Sequence, residues 1–507
     1  MNATTSGATR EPQLVLRPSV SLALWTVAAA VLAGWLALSA LHVKDDYRVS
    51  HLQGVWLAVV DAARNGQLYP PIFDGEHYSG TRYMPMPILL NALASGLVGD
   101  PLIGGKLVAA ILMAGLLAVV VFVLRRSFCP WPLAAALAAA VVATDTGLQA
   151  GTTIGGDLLP ALLQTGALAV ALRGRDRSSM LMAGLLAGVA VASKLTGVWA
   201  FFAITTWLVV EGEKRSAATF AAVCAGTAAV TLGAVQLLTR GGLSEHLQAF
   251  SLAGIHGALS LLRGPNQVLY NLLDHAFGTV VLFPLAVVGA LLSRRWHLSV
   301  IHIALGYALL LLMVVYADVG TGPNQLLDVV VLTALAAGYL AGRVASDSDA
   351  RTAPIIVLAV AISVVWAVGL DLVRTVGFDL RRTRPSLTSG APTTRSAVVI
   401  AGTVKAEDEV LAEDPAIYVA LHRRPIVMDP FMVMRLERLH PQWVDSLVTR
   451  IVERRFDLVV LIVPLENRTF DYWWTDFHFG PRVAAALRSA YRPDGTVGPY
   501  YLYRPRQ

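Results

Sequence analysis

Long apolar runs, broken at short intervals by Arg and Lys clusters, fill the chain as far as Leu370. A helix needs about 20 apolar residues to cross the hydrocarbon of a bilayer. Runs of that character lie near Val20–His42, Leu107–Leu124, Pro130–Thr144, Leu158–Leu172, Met180–Ser193 and Leu195–Val210. Others lie near Ser216–Thr239, Ala276–Ser293, Leu298–Tyr316, Leu326–Gly342 and Ala353–Leu370, giving eleven predicted spans. The fifth and sixth divide at "SKLTG". A further apolar stretch, "PMPILLNALASGLVG" (Pro85–Gly99), is short and ends in "GDP", so it reads as an interfacial or re-entrant helix.

Sidedness follows from the basic residues, which favour the cytoplasmic side. With Arg10 and Arg17 inside, the clusters Arg125–Arg126, Arg173–Arg177, Glu211–Arg215, Arg294–Arg295 and Arg343–Arg351 all fall inside as well. Eleven spans then put the C-terminus outside. The predicted fold class is a polytopic α-helical membrane protein, N-in and C-out, with a small extracytoplasmic α/β domain at its C-terminus. Its predicted parts are a cytoplasmic tail (1–19), a membrane module (20–375) with a large first outer loop (43–106), a linker (376–395) and the α/β domain (396–507).

Composition agrees. The 507 residues are 55% hydrophobic and only 15% charged, with mean hydropathy +0.60, against about 25% charged in ordinary soluble domains. The net charge of +6 is spread through short loops as a topology signal, which gives no case for nucleic acid. Cys129 and Cys224 lie in or beside apolar runs, with no disulfide framework and no Cys/His metal spacing.

Beyond Asp371 the pattern changes. "SAVVIAG", "PIVMD" and "FDLVVLIVPL" are short and rich in β-branched residues and read as strands. "VDSLVTRIVERR" and "GPRVAAALRSAY" carry helical spacing, and "GPYYLYRP" reads as an edge strand. Such a domain could act as a scaffold for the membrane part or bind an acceptor.

The first outer loop opens with "HVKDDYRVSHLQG" (His42–Gly54). Val49, Leu52, Val55, Trp56, Val59, Val60 and Ala63 recur at three- and four-residue spacing, predicting an amphipathic helix lying on the outer leaflet. Asp45 and Asp46 would stand at its N-terminal end, where a helix favours anions. One carboxylate suffices for a cap, however. An ionised pair at the hydrocarbon edge normally has a partner or a task, and Lys44 and Arg48 are the nearby partners. Further on, "GQLYPPIFDGEHYSGTRYMPMP" is stiffened by proline and presents Glu76, His77, Arg82 and Tyr83.

This layout resembles the C-type superfamily of glycosyltransferases. The resembling elements are the Asp45–Asp46 pair after the first span, the loop helix, and "NGQLYP" followed by "YMPMPILL". "GLLAGVAVASKLTG" (Gly184–Gly197) and "GTGPNQLLD" (Gly320–Asp328) are similar to later elements of the superfamily. "LAEDPAIYVALHRRPIVMDPF" (Leu411–Phe431) resembles a segment of the protein-mannosyltransferase-like branch. The loop has Met-Pro-Met-Pro in place of Pro-Pro, and Asp-Asp where many relatives have Asp-Glu.

The resemblance implies an enzyme of the plasma membrane that moves a sugar from a polyprenyl-phosphate donor to a glycan, lipid or protein acceptor of the cell envelope, with inversion. Such chemistry needs a carboxylate to take the acceptor proton and cationic groups for the departing phosphate. Asp45, then Asp46, is the expected base. Lys194, an isolated cation in an apolar stretch, and Arg82 are expected at the phosphate, with Arg240 and Arg263 as further candidates. Asn324, Tyr83 and His77 are candidates for substrate contacts, and Asp157 reads as a site residue or an N-cap. Some members of the superfamily use a divalent cation, to which Asp45, Asp46 and Glu76 could offer oxygens. The rival reading is a transporter or flippase of lipid-linked sugars, against which the chain shows no matching inverted halves.

Overall fold

A computed structural model describes residues 16–250, 258–292, 299–318, 320–349, 351–389 and 395–507. Most of the N-terminal tail, the pair Arg294–Arg295 and residues 390–394 of the expected linker lie outside them.

The chain is mostly helical. In order come α1 (Pro18–Leu41), α2 (His51–Arg64), α3 (Pro85–Val98), α4 (Pro101–Arg126), α5 (Trp131–Ala143), α6 (Asp145–Thr152), α7 (Leu158–Arg173) and α8 (Arg177–Ser193). They are followed by α9 (Trp199–Val210), α10 (Lys214–Leu238), α11 (Gly242–Phe250), α12 (Arg263–His275), α13 (Phe277–Leu292), α14 (Val300–Val315), α15 (Leu327–Tyr339) and α16 (Thr352–Ser389). Each apolar run expected to span is a helix. Among the described residues five helices are long and apolar enough to cross a bilayer alone, or seven if each of two bent pairs counts as one span. Helices α7, α8, α9 and α14, all expected to span, are shorter apolar helices of 10–17 residues. The bends are 79° between α5 and α6 and 118° between α12 and α13. Helix α3 is too short to cross, as expected, and packs on α4 and α2.

Small residues let the helices of the bundle approach closely, the usual device where lipid removes the hydrophobic drive for association. At Gly188 of α8 a Cβ would stand 2.6 Å from the Cys224 carbonyl of α10. Helix α15 runs through the middle of the bundle, buried along most of its length.

The tail holds α17 (Ser396–Ala401), β1 (Val410–Ala412), α18 (Ala416–Ala420), α19 (Pro430–Leu439), α20 (Pro441–Val452), β2 (Leu458–Leu461), α21 (Pro481–Ala490), β3 (Tyr491–Val497) and β4 (Tyr500–Pro505). The sheet order is β1-β2-β4-β3, with β1 and β2 parallel and the other pairs antiparallel.

Four expectations are corrected here. "SAVVIAG" forms α17, because a short Val/Ile run serves a buried helix as well as a strand. "PIVMD" contributes only a bridge, Val427 to Tyr78 of the first loop. "GPYYLYRP" is not an edge, since β3 covers its outer side. Residues up to Ser389 of the expected linker continue α16.

The fifth correction bears on the site. Helix α2 does not lie on lipid: Val55 to Val60 are all buried in one core with Ile417, Val427, Met432 and Leu458 of the tail. The tail supplies the apolar partner that the helix would otherwise seek in a membrane, so the first loop and the tail form one unit. Tyr78 stitches them, its backbone N–H donating to Ile426 O (2.7 Å) and its carbonyl accepting from Met428 N (2.8 Å). Its phenol donates to Trp443 O.

Candidate functional site

Helix α1 ends at Leu41 and the chain turns through residues 42–50 before α2 begins. The N-cap of α2 is Ser50, whose backbone N–H donates to Gln53 Oε1 (2.7 Å). Asp45 and Asp46 therefore do not cap α2. They occupy the turn itself, and they face different neighbours.

Asp45 is buried. Its Oδ2 meets His42 Nδ1 at 2.7 Å, and its Oδ1 accepts the Tyr47 backbone N–H at 2.9 Å. Lys106, in the first turns of α4, lies 3.9 Å from Oδ1 and donates to the carbonyls of His42 and Asp45, 2.7 Å each. Lysine and histidine thus fix the carboxylate from two sides. Asp46 turns to the tail, where Oδ2 accepts the Ser396 N–H at 2.7 Å. Burial pushes its carboxyl above the usual range, while the Ser396 amide and the charges of Arg395 and Lys106 pull it back. Arg395 clamps the same turn, donating to Lys44 O (3.0 Å) and to Asp100 Oδ2 (2.7 Å).

Arg48 follows in a left-handed backbone conformation (φ 57°), a strained geometry for a long side chain. This geometry accompanies a buried ion pair, Arg48 Nη1 to Asp145 Oδ1 at 2.8 Å. The other Asp145 oxygen meets His275 Nδ1 at 2.8 Å. Both helix bends serve this triad. Asp145 opens α6 just past the first bend, and His275 ends α12 at the second. Gly147 permits the first bend, since a Cβ there would meet the Val141 carbonyl at 1.9 Å.

A third cluster joins α7, α8 and the approach to α15. Asp157 accepts from Lys194 Nζ (Oδ1, 2.8 Å) and from Asn324 Nδ2 (Oδ2, 2.8 Å). Asp157 stands at the N-cap position of α7, as the sequence allowed, but its carboxylate makes no capping bond there and is engaged by Lys194 and Asn324 instead. Thr146 donates to Pro323 O, so α6 and this cluster share an element.

The fourth cluster carries Arg82. Its Nη1 lies 3.2 Å from Asp318 Oδ2, its Nη2 donates to Gly320 O (2.8 Å), and its guanidinium lies over the Phe431 ring. Arg435 of α19 approaches the other Asp318 oxygen at 3.7 Å. Tyr83 is stacked on Trp56 with ring centroids 4.3 Å apart. Burial raises its phenol, and the charges of Asp429 and Asp157 add to the rise. Asp429 is itself pushed up to about 6 by burial, against the pull of Arg82.

Asp45, Asp46, Arg82, Tyr83, Lys194 and Asn324 thus gather where the bundle meets the outer unit. His77 does not join them. It pairs with Asp74 (3.3 Å), which also holds Arg424, so it belongs to the seam between loop and tail. Arg240 is exposed after α10 and Arg263 is exposed at the start of α12, and neither makes an ion pair among the described residues. Sequence reasoning missed Lys106, Asp145 and His275. An ionisable residue inside an apolar stretch is a signal in itself, and "ATDTG" and "GGKLV" carry it. Nothing local pairs Asp145 with His275, 130 positions away.

The residues do not fit a divalent cation. Asp45 and Asp46 point to different partners, and the Glu76 carbonyl accepts from Arg450 in the seam. Among the described residues no three His, Cys, Asp or Glu side chains gather as ligands.

The fold is that of the C-type glycosyltransferases. ArnT from Cupriavidus metallidurans, solved with undecaprenyl phosphate bound, superposes with TM-score 0.56 at 14% identity, over 94% of this chain and 97% of its own. The Archaeoglobus fulgidus oligosaccharyltransferase superposes with TM-score 0.53 at 14% identity, over 96% of this chain and 74% of its own. The archaeal oligosaccharyltransferase AglB from Archaeoglobus fulgidus, with an inhibitory peptide and a dolichol-phosphate, gives TM-score 0.53 at 13% identity, over 96% of this chain and 74% of its own. No protein-family profile and no curated protein matches the chain.

Proposed function

We propose that the protein is a membrane glycosyltransferase that moves a sugar from a polyprenyl-phosphate donor to a cell-envelope acceptor on the extracytoplasmic face. The observation that carries this reading is a buried, partnered carboxylate, Asp45, at the same end of the bundle as Lys194 and Arg82. The structural neighbours solved with undecaprenyl phosphate and dolichol-phosphate support the donor class.

In this mechanism the acceptor hydroxyl attacks the anomeric carbon from the face opposite the phosphate. The new carbon–oxygen bond forms as the bond to the phosphate oxygen breaks. The hydroxyl proton passes to Asp45, and the electron pair leaves on the lipid phosphate. His42 and Lys106 orient Asp45 for that transfer. Lys194 keeps ammonium protons beyond the one given to Asp157, and Arg82 keeps guanidinium donors beyond those on Asp318 and Gly320. These receive the departing phosphate, whose charge they stabilise without reorganising. Arg48, Asp145 and His275 hold the turn and the two bends in register. Asp46 ties the turn to the tail. Inversion follows from a single displacement.

The test is mass spectrometry of envelope glycans and lipids from cells with and without the chain. The expected result is one glycan class lacking a sugar, with its polyprenyl-phosphate sugar accumulating. An unchanged inventory overturns the reading. The two bent helix pairs favour a second reading, since broken helices mark transporters. That reading predicts lipid-linked sugar crossing a proteoliposome bilayer with no new glycosidic bond.

A further inference from the structure

Two guanidiniums share one carboxylate where the tail meets the loop between α14 and α15. Asp318 Oδ2 receives Arg82 of the first outer loop at 3.2 Å, and Arg435 of α19 approaches Oδ1 at 3.7 Å. The loop itself holds the carboxylate between them, since Oδ1 accepts the Gly320 N–H at 2.8 Å. Both guanidiniums also lie over the Phe431 ring, 4.9 Å from its centroid for Arg82 and 4.8 Å for Arg435. Gly320 lets the loop come this close, because a Cβ there would collide with that ring.

Arg435 has no part in the mechanism above, and its pairing is poor for so buried a charge. Its side chain is 3% exposed, and its separation from Asp318 exceeds hydrogen-bond length. Its Nε is shielded and has no hydrogen-bond partner among the described residues. A buried charge is ordinarily both paired and hydrogen-bonded. A residue serving only to pin the tail would close that gap or be apolar, since hydrophobic side chains often replace a buried ion pair without loss of stability.

What Arg435 does supply is charge. Paired with Asp318 alone, Arg82 would be neutralised and would make a poor ligand for an oxyanion. With Arg435 drawing on the same carboxylate, the trio keeps one net positive charge. Asp429 and Arg438 lie within electrostatic reach of the trio and offset one another in sign. At Lys194 the balance is the reverse, because one ammonium faces Asp157 with Asp328 also in reach. The surplus positive charge of the site therefore lies at the Arg82 end.

We propose that Arg435 is a positioning residue of the phosphate site. By sharing Asp318 it leaves the Arg82 guanidinium positive and able to turn an N–H to the phosphate of the lipid-linked donor, so that the tail sets the charge of the site. The inference rests on the donor reading given above.

The test measures binding of undecaprenyl phosphate in nanodiscs by the natural chain, Arg435→Gln, Asp318→Asn and the double variant. Arg435→Gln leaves Asp318 to Arg82 alone, and binding should weaken by about tenfold, the loss of one hydrogen bond to a charged group. Asp318→Asn leaves Arg82 without its neutralising partner, and binding should tighten. Structural damage would weaken both variants, so the opposite signs separate the two roles. With the carboxylate gone Arg435 has nothing to share, and adding Arg435→Gln to Asp318→Asn should cost clearly less than tenfold. Three results overturn the assignment: natural affinity in Arg435→Gln, weakened binding in Asp318→Asn, or the full loss on adding Arg435→Gln to Asp318→Asn. Should Arg435→Gln fail to fold, the sign of the Asp318→Asn effect alone decides. If the natural chain binds the lipid and the variants match it, only the assignment of Arg435 fails. If the natural chain does not bind undecaprenyl phosphate at all, the donor reading fails together with it.

Discussion

Two hydrophobic cores meet at the site, and they are built differently. The core of the bundle is mainly Ala, Leu and Val, with Gly at helix contacts. The core of the outer unit carries Trp56, Tyr69, Tyr78, Phe250, Tyr418, Phe456, Trp474 and Phe479. Water drives burial of large aromatic surfaces. Lipid does not, and a bundle within it gains stability from close backbone approach. Each core should therefore fail by its own route, the outer one when side chains shrink and the inner one when they grow.

The largest stability effect is expected in the outer unit. Phe456 is fully buried there, and Phe456→Ala should cost about 3–5 kcal/mol. Limited proteolysis in detergent should show the tail cut early while the bundle fragment persists. Simultaneous loss of both would mean the two cores are one cooperative unit.

Gly188→Leu tests the inner core. The new side chain would press on the α10 backbone at Cys224, and overpacking of this kind costs about 1–3 kcal/mol. A lowered melting temperature with an intact, protease-resistant tail is expected. A rise in melting temperature would contradict close packing of α8 on α10.

The seam should respond to pH through Asp414. Its carboxyl is pushed up to about 7, chiefly by burial, against the amide of Ala416 and the Tyr500 hydroxyl that bind it. A carboxyl raised above its unfolded value of 3.8 gives stability that is complete below that value and is lost as pH rises through the folded one. The stability of the natural chain relative to Asp414→Asn should therefore fall between about pH 4 and pH 7. His478, whose imidazole burial drives down to about 3, titrates in both proteins and drops out of the difference. A difference that stays flat over this range would remove Asp414 from the account.

The long-period features were legible in the sequence. Each apolar run became a helix, and the break at "SKLTG" falls where α8 gives way to α9. Short-range and long-range features were not. Val and Ile in "SAVVIAG" fit either kind of element, and only packing against α18 and β3 decides for a helix. The stripe on α2 showed that one face would be buried, but burial beneath the tail looks the same in sequence as burial in lipid. The Asp45–Asp46 pair stood out, yet its division of labour depends on Lys106 and Ser396, which only the fold brings to it.

That division of labour is the claim on which the rest depends. It is tested most directly by sugar transfer from a labelled polyprenyl-phosphate donor, comparing Asp45→Asn and Asp46→Asn in protein confirmed as folded. Asp45→Asn should lose about 10²–10⁴-fold in turnover, the range for a general base, while Asp46→Asn should lose less and weaken tail docking. Turnover at the natural rate in Asp45→Asn would contradict the account.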